Sequence, residues 1–217
     1  MATGYPNSEM RLSNAPGAWK VDGPCRATEG HPVLATPTAR LRALLPEDRV
    51  RLVEILSQHL CINATIDEPR ALDADSARRW IDARVAEEKM GYALHWAICL
   101  LSNDELVGYV GLHDIDLERR HAELCFWLEP FPSSGDVMLE AAQTALAFAF
   151  ANLNMSSMRA VSTAEADEAA ELLGRIGMQL LPPVRANGSH WTRFNDVNIW
   201  TLTRRRWEQR LWISRHN

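Results

Sequence analysis

No run of 18 apolar residues occurs in this chain, so no membrane-spanning helix is expected. Residues 1–34 are polar and rich in proline and glycine. They hold no apolar core of the signal-peptide type. No Cys-x-x-Cys pair exists, which argues against a zinc ribbon or a thioredoxin-type site. A broad basic field is also missing: the net charge is -5, and only Arg204-Arg205-Arg206 forms a local cluster. That run reads as a solvated end, and no nucleic-acid partner is expected. There is no internal repeat.

What is present suits one globular domain. The chain has 217 residues, 47% of them hydrophobic and 24% charged. Cys61, Cys99 and Cys125 lie in apolar runs, where a thiol acts as a small buried hydrophobe. A reducing compartment, the cytoplasm, is the expectation.

Residues 1–35 read as a flexible N-terminal arm. Order is expected from Thr36. Ala39 to Leu44 reads as a strand, and Pro46-Glu47-Asp48 opens a helix, with acids near the positive end of its dipole. Leu52, Ile55, Leu56 and Leu60 share a helical face. A second helix is expected from Asp75. The period then changes. Leu94–Leu101 and Leu106–Leu112 read as a hairpin, and Ala122–Leu128 as a third strand that Pro130 and Pro132 stop. A long helix buries Met138, Ala142, Ala145, Leu146, Ala149 and Leu153. Met158–Ser162 is a strand, and Glu165–Ile176 a helix closed by Gly177. Asn187-Gly188 signals a hairpin before a strand at Val197–Leu202. The fold class is α+β with one α/β crossover: a mostly antiparallel twisted sheet of about six to seven strands, flanked by about four helices. The domain should span 36–207, leaving 208–217 as a tail.

Several segments resemble the GNAT superfamily in order and spacing, and specifically its RimJ/RimL-like N-acetyltransferases. Leu106-Val107-Gly108-Tyr109-Val110-Gly111-Leu112 resembles the family's "x-x-G-x-x-G-L" strand. Ala122-Glu123-Leu124-Cys125-Phe126-Trp127-Leu128, followed by Pro130, resembles "A-E-I-G-Y-W-L-x-P". Glu140-Ala141, Ile176-Gly177-Met178, and Gly188, Trp191 and Asp196 match later motifs. The resemblance spans about Thr36 to Trp207. It implies an acyltransferase fold that moves an acetyl group from acetyl-CoA to a primary amine of a small molecule or protein N-terminus. It also implies that two sheet strands part, that the pantetheine arm pairs with the exposed backbone, and that the pyrophosphate sits at the long helix's N-terminus. The implied coenzyme residues are Trp127, Leu128, Ser134, Gly135, Asp136 and Val137. Assembly as a homodimer is left open.

The sequence departs from the family pattern where the pyrophosphate should lie. Ser134 and Asp136 fall on the two family glycines. A carboxylate there repels a phosphate by roughly 1 kcal/mol at 4 Å in water. Ser133-x-x-Asp136 also has capping-box spacing, so a self-capped helix is expected. Ala166 and Ala169 stand where the family has Asn and Ser, and neither offers a side-chain hydrogen bond. These departures count against acetyl-CoA and move weight to a rival reading, a catalytically silent or repurposed domain that binds another ligand or partner, while the intact frame keeps acyl transfer ahead.

Glu123 matches a family acid and is the candidate general base, sharing a strand face with Cys125 and Trp127. Cys125 is a candidate proton donor to the leaving thiolate, although a buried structural thiol is the plainer reading. His113, His190 and Trp191 are candidate acceptor-site residues. His113, Asp114, Asp116 and His121 straddle a turn and need not converge, so no metal is expected.

Overall fold

A computed structural model describes residues 31–57, 62–64, 73–131, 133–163, 166–182 and 197–216. The strands are β1 (Leu34–Ala35), β2 (Ala39–Ala43), β3 (Ile62–Ala64), β4 (Leu94–Leu100), β5 (Leu106–Asp116), β6 (His121–Leu128), β7 (Ser157–Thr163), β8 (Gln179–Leu180) and β9 (Val197–Thr203). The helices are α1 (Arg49–Ser57), α2 (Ala74–Met90), α3 (Ser134–Ala151), α4 (Asp167–Ile176) and α5 (Arg204–His216). Among the described residues there are thus nine strands and five helices, more than the six to seven and four expected. The surplus comes from β1, β3 and β8, which have two or three residues each and no periodicity to read, and from α5. The Asn187-Gly188 turn lies outside the described residues.

Local chemistry sets the element ends. Proline opens the 3-10 turn Pro46–Asp48 that leads into α1. Asp48 is buried there, with both carboxylate oxygens 2.8 Å from the Arg42 guanidinium and one also accepting from the Leu45 N–H. Asp73 caps α2 by accepting from Ser76 N at 2.7 Å. Gly177 ends α4 at φ 101°, a left-handed conformation that costs glycine little.

The sheet runs β1-β2-β4-β5-β6-β7-β9-β8, with β3 attached to β6 off this path. All pairs are antiparallel except β6 with β7, which α3 connects as a crossover. Side-chain alternation gives the sheet two faces. Leu112, Leu124, Phe126 and Leu128 join α3 and α4 in the larger core. Tyr109, Cys125 and Trp127 face the other way, with Leu52 and Ile55 of α1 and Ala77 and Ile81 of α2.

The arginine run is not simply a solvated end: Arg205 is exposed, but Arg204 and Arg206 are partly buried. It starts α5, where its side chains meet the carbonyls left unpaired at two other helix C-termini. Arg204 donates to the carbonyls of Phe150 at the end of α3 and of Met155 in the loop that follows, and lies over the Phe150 ring. Arg206 donates to Gly177 O at 2.8 Å and Arg210 to Arg175 O at 2.6 Å, both at the end of α4. Trp207 packs against Phe150, and α5 continues as helix into the stretch expected to be a tail, where Trp212 and Ile213 stay exposed.

Candidate active site

Strands β5 and β6 place the candidate residues in register. His113 pairs with Glu123, Gly111 with Cys125 and Tyr109 with Trp127. Partners across an antiparallel pair share a face, so all six turn towards α1 and α2. The structure therefore brings Glu123, Cys125 and His113 together. His190 and Trp191 lie outside the described residues.

Beneath His113 runs a chain of buried polar groups that sequence reasoning did not single out. The Tyr109 hydroxyl is 2.8 Å from His95 Nδ1 and 2.8 Å from His113 Nε2. His95 Nε2 lies 3.0 Å from Glu87 Oε2, an ion-pair contact in which neither atom forms a hydrogen bond. Glu87 Oε1 accepts from Arg84 at 2.9 Å. His95 and Tyr109 are almost fully buried. Their rings stack 22° from parallel, and Tyr109 also stacks on Trp127. Gly111 is what admits the hydroxyl: a Cβ there would sit 2.9 Å from Tyr109 Cζ and 3.0 Å from Cys125 Sγ. The signal for this cluster was in the sequence. His95, Tyr109 and His113 occupy same-face positions of two strands joined as a hairpin, but nothing marked Glu87 on α2 as their partner.

Burial sets the charge states. It lowers the His113 pKa to about 3, helped by nearby His95 and Arg84. Burial also lowers that of His95, although Glu87 opposes the shift. Burial pushes Glu87 up, but the His95 contact and Arg84 hold it below the usual carboxylate range. Both imidazoles are thus neutral near pH 7. Burial drives the Cys125 thiol far above its ordinary value, and its Sγ sits 3.5 Å from both Gly111 O and the Tyr109 hydroxyl. A thiol held this firmly protonated is a poor nucleophile. Glu87, His95 and His113 could offer ligand atoms to a metal, all within 4.8 Å of one another. Two ligands at Zn–N distances of about 2.1 Å stand no more than about 4.2 Å apart, so that set would have to contract.

The sheet opens beside this cluster. β6 and β7 pair only from His121↔Ser157 to Glu123↔Arg159, and beyond Glu123 they part. The freed edge of β6 is not bare. β3 pairs with it antiparallel, Ile62↔Leu128, Asn63↔Trp127 and Ala64↔Phe126. At the start of α3, Ser133 makes no side-chain cap, so the self-capped helix expected there does not form. Asp136 instead points outward and pairs with Arg175 of α4 at 2.9 Å, because that guanidinium is a better partner than a backbone N–H. The Asp136 carboxylate remains 74% exposed, so water keeps screening it.

Residues 39–179 match the family model of the acetyltransferase (GNAT) domain. The chain belongs to the GNAT acetyltransferase family. GNAT enzymes transfer an acyl group from acyl-CoA to an amine, and this chain carries their frame. It is similar in structure to RimJ of Mycobacterium smegmatis in complex with CoA-disulfide: 17% identity, TM-score 0.66, covering 84% of this chain and 93% of that one. RimL, a ribosomal L7/L12 alpha-N-protein acetyltransferase in complex with coenzyme A, gives 15%, 0.66, 79% and 98%. FdhC, a nucleotide-linked sugar GNAT, gives 14%, 0.68, 85% and 97%. The first two carry the RimJ/RimL likeness. At these identities the likeness is one of fold.

Measured against the GNAT pattern, the coenzyme side is altered at three places. Trp127 and Leu128 lie on the stretch of β6 whose outer edge β3 takes, so the open backbone expected for pantetheine is occupied. Ser134 is buried, Gly135 has room around it, and Val137 packs into the core. Ala166 stands at the N-cap of α4 without a side-chain hydrogen bond, and Ala169 is buried.

Proposed function

We propose that this protein moves an acetyl group from acetyl-CoA to a primary amine of a small molecule or a protein N-terminus. The observation that carries the reading is the parting of β6 from β7 immediately after Glu123, with His113 opposite it. A thioester seated in that gap would lie beside two side chains suited to an amine. Glu123 offers a carboxylate to the incoming cation, and His113 a neutral imidazole. The pantetheine arm would run along Trp127 and Leu128 as an added strand, and the pyrophosphate would meet the backbone of Ser134, Gly135, Asp136 and Val137. Arg175 would then be within reach of phosphate oxygens.

Cys99 and Cys125 are free buried thiols, which suits the reducing cytoplasm. Among the described residues no helix is long and apolar enough to cross a membrane. The acceptor is an amine, and assembly as a homodimer remains part of the proposal.

A second reading has its own support. β3 on the edge of β6, with Asp136 and Arg175 paired at the start of α3, fits a silent or repurposed domain. Calorimetry with acetyl-CoA separates the two. The transferase reading expects binding, followed by free-thiol release when amine-bearing peptides, polyamines or amino sugars are added. Absence of heat at millimolar acetyl-CoA would sink it and favour the second.

A further inference from the structure

Five titratable side chains, Glu87, His95, Tyr109, His113 and Cys125, meet on one face of the sheet with little access to water. Polar groups are costly to bury unless each is satisfied, and this set has one consistent arrangement of protons. Ionised Glu87 can only accept, so His95 carries its proton on Nε2. His95 Nδ1 then accepts from the Tyr109 hydroxyl. The Tyr109 oxygen in turn accepts from His113 Nε2–H. The His113–Tyr109 and Tyr109–His95 hydrogen bonds point the same way, and the 3.0 Å contact of His95 Nε2 with Glu87 continues them to α2. The remaining nitrogen of His113, Nδ1, is left as a lone-pair acceptor. His113 and Glu87 are partly exposed, although the Glu87 oxygen that faces His95 is itself buried and only the rest of that carboxylate meets water.

Building on the transferase reading, we propose that His113 takes the proton of the attacking amine and that Tyr109, His95 and Glu87 form a relay that carries it to solvent. As the amine nitrogen bonds to the thioester carbonyl carbon, its N–H bond breaks and the electron pair stays on the nascent amide. The proton goes to His113 Nδ1. His113 Nε2–H passes to the Tyr109 oxygen, the Tyr109 O–H proton to His95 Nδ1, and His95 Nε2–H to Glu87. Glu87 releases it to water. The C–S bond breaks, and the coenzyme thiolate takes a proton from solvent. Glu123 draws the cationic amine in, and the ammonium gives its first proton to solvent, so the attacking species is the neutral amine. His113 is the catalytic residue; Tyr109, His95 and Glu87 act through it. The charged and titratable groups facing the relay are Arg84, Glu87 and Glu88 from α2, His95 from β4, and Glu123 and Cys125 from β6.

Tyr109→Phe keeps both ring stacks and cuts the relay; Glu87→Gln cuts it at the rim, where little packing is disturbed. Both should lower kcat about tenfold to a hundredfold while leaving KM for the amine within threefold. The kcat of the wild type should fall in D2O with a curved proton inventory, and each variant should give a straight, shallow one. Nitrogen-15 NMR of labelled histidines should place protons on Nε2 of both His95 and His113 in the resting protein. That readout needs no turnover, so it tests the relay even if no acetyl transfer is found. A kcat within twofold of wild type in both variants would overturn the proposal. So would a proton on His113 Nδ1, or one tightly bound zinc per chain that His95→Gln releases.

Discussion

Replacing Ala64 with proline tests whether β3 competes with coenzyme A for the edge of β6. The Glu129 N–H donates to Val107 O, so alternate residues 129, 127 and 125 of β6 bond towards β5. Phe126 and Leu128 therefore turn their backbone groups to β3. Their partners are Ala64 and Ile62, and each such pair exchanges two bonds. Four bonds at about 1 kcal/mol each, less about 1 kcal/mol of entropy for each of three held residues, leave a net pairing energy of about 1 kcal/mol. A coenzyme that binds only when β3 has left is weakened by the fraction of molecules with β3 released, here about fivefold. Proline at 64 removes the N–H that reaches Phe126, and its ring does not fit a central ladder. Calorimetric titration with acetyl-CoA should then show Kd falling about fivefold, with the far-UV spectrum unchanged. A Kd within twofold of wild type would refute the competition. No binding by either protein would instead support the silent domain.

Further outcomes follow from the same geometry. Asp136→Gly removes a carboxylate from the start of α3 and frees Arg175, so acetyl-CoA should bind a few-fold tighter at low salt, with the gain fading in 0.5 M NaCl. Unchanged affinity at low salt would show that Asp136 points away from the phosphates. Gly111→Ala drives a methyl group into Tyr109 and should cost about 1–3 kcal/mol in urea denaturation. Arg204→Ala leaves carbonyls at the end of α3 without a donor and should lower stability by about 1–2 kcal/mol by the same measurement. His113 binds its proton more weakly folded, at about 3, than unfolded, near 6.5. The unfolded chain thus binds more protons between these values. This share of stability is complete above pH 6.5 and is lost as pH falls towards 3. Tm should drop across that window, and His113→Phe should flatten the drop.

The regular elements were legible because their periods are strong. The β4–β5 hairpin, β6 and α3 lie within a few residues of where alternation and helical spacing put them, and Gly177 ends α4 as expected. The sharing of one face by Glu123, Cys125 and Trp127 followed from alternation alone. The arginine run misled because a charge cluster is usually solvated, and its carbonyl partners on α3 and α4 are distant in sequence. Asp136 misled because a local cap was weighed without knowing that Arg175 stands nearby.

The sequence by itself determined the order of the longer strands and of the first four helices, the two faces of β5 and β6, and the family. Each of these rests on residues near one another in the chain. Tertiary structure decided the rest, because it depends on contacts between distant segments. Folding sets Glu87 of α2 beside His95 of β4, and so makes a relay of side chains that alternation could only place on a common face. It lays β3 along β6 where a coenzyme arm was expected. The backbone groups of β3 carry no sequence signal, since any residue but proline offers the same N–H and C=O.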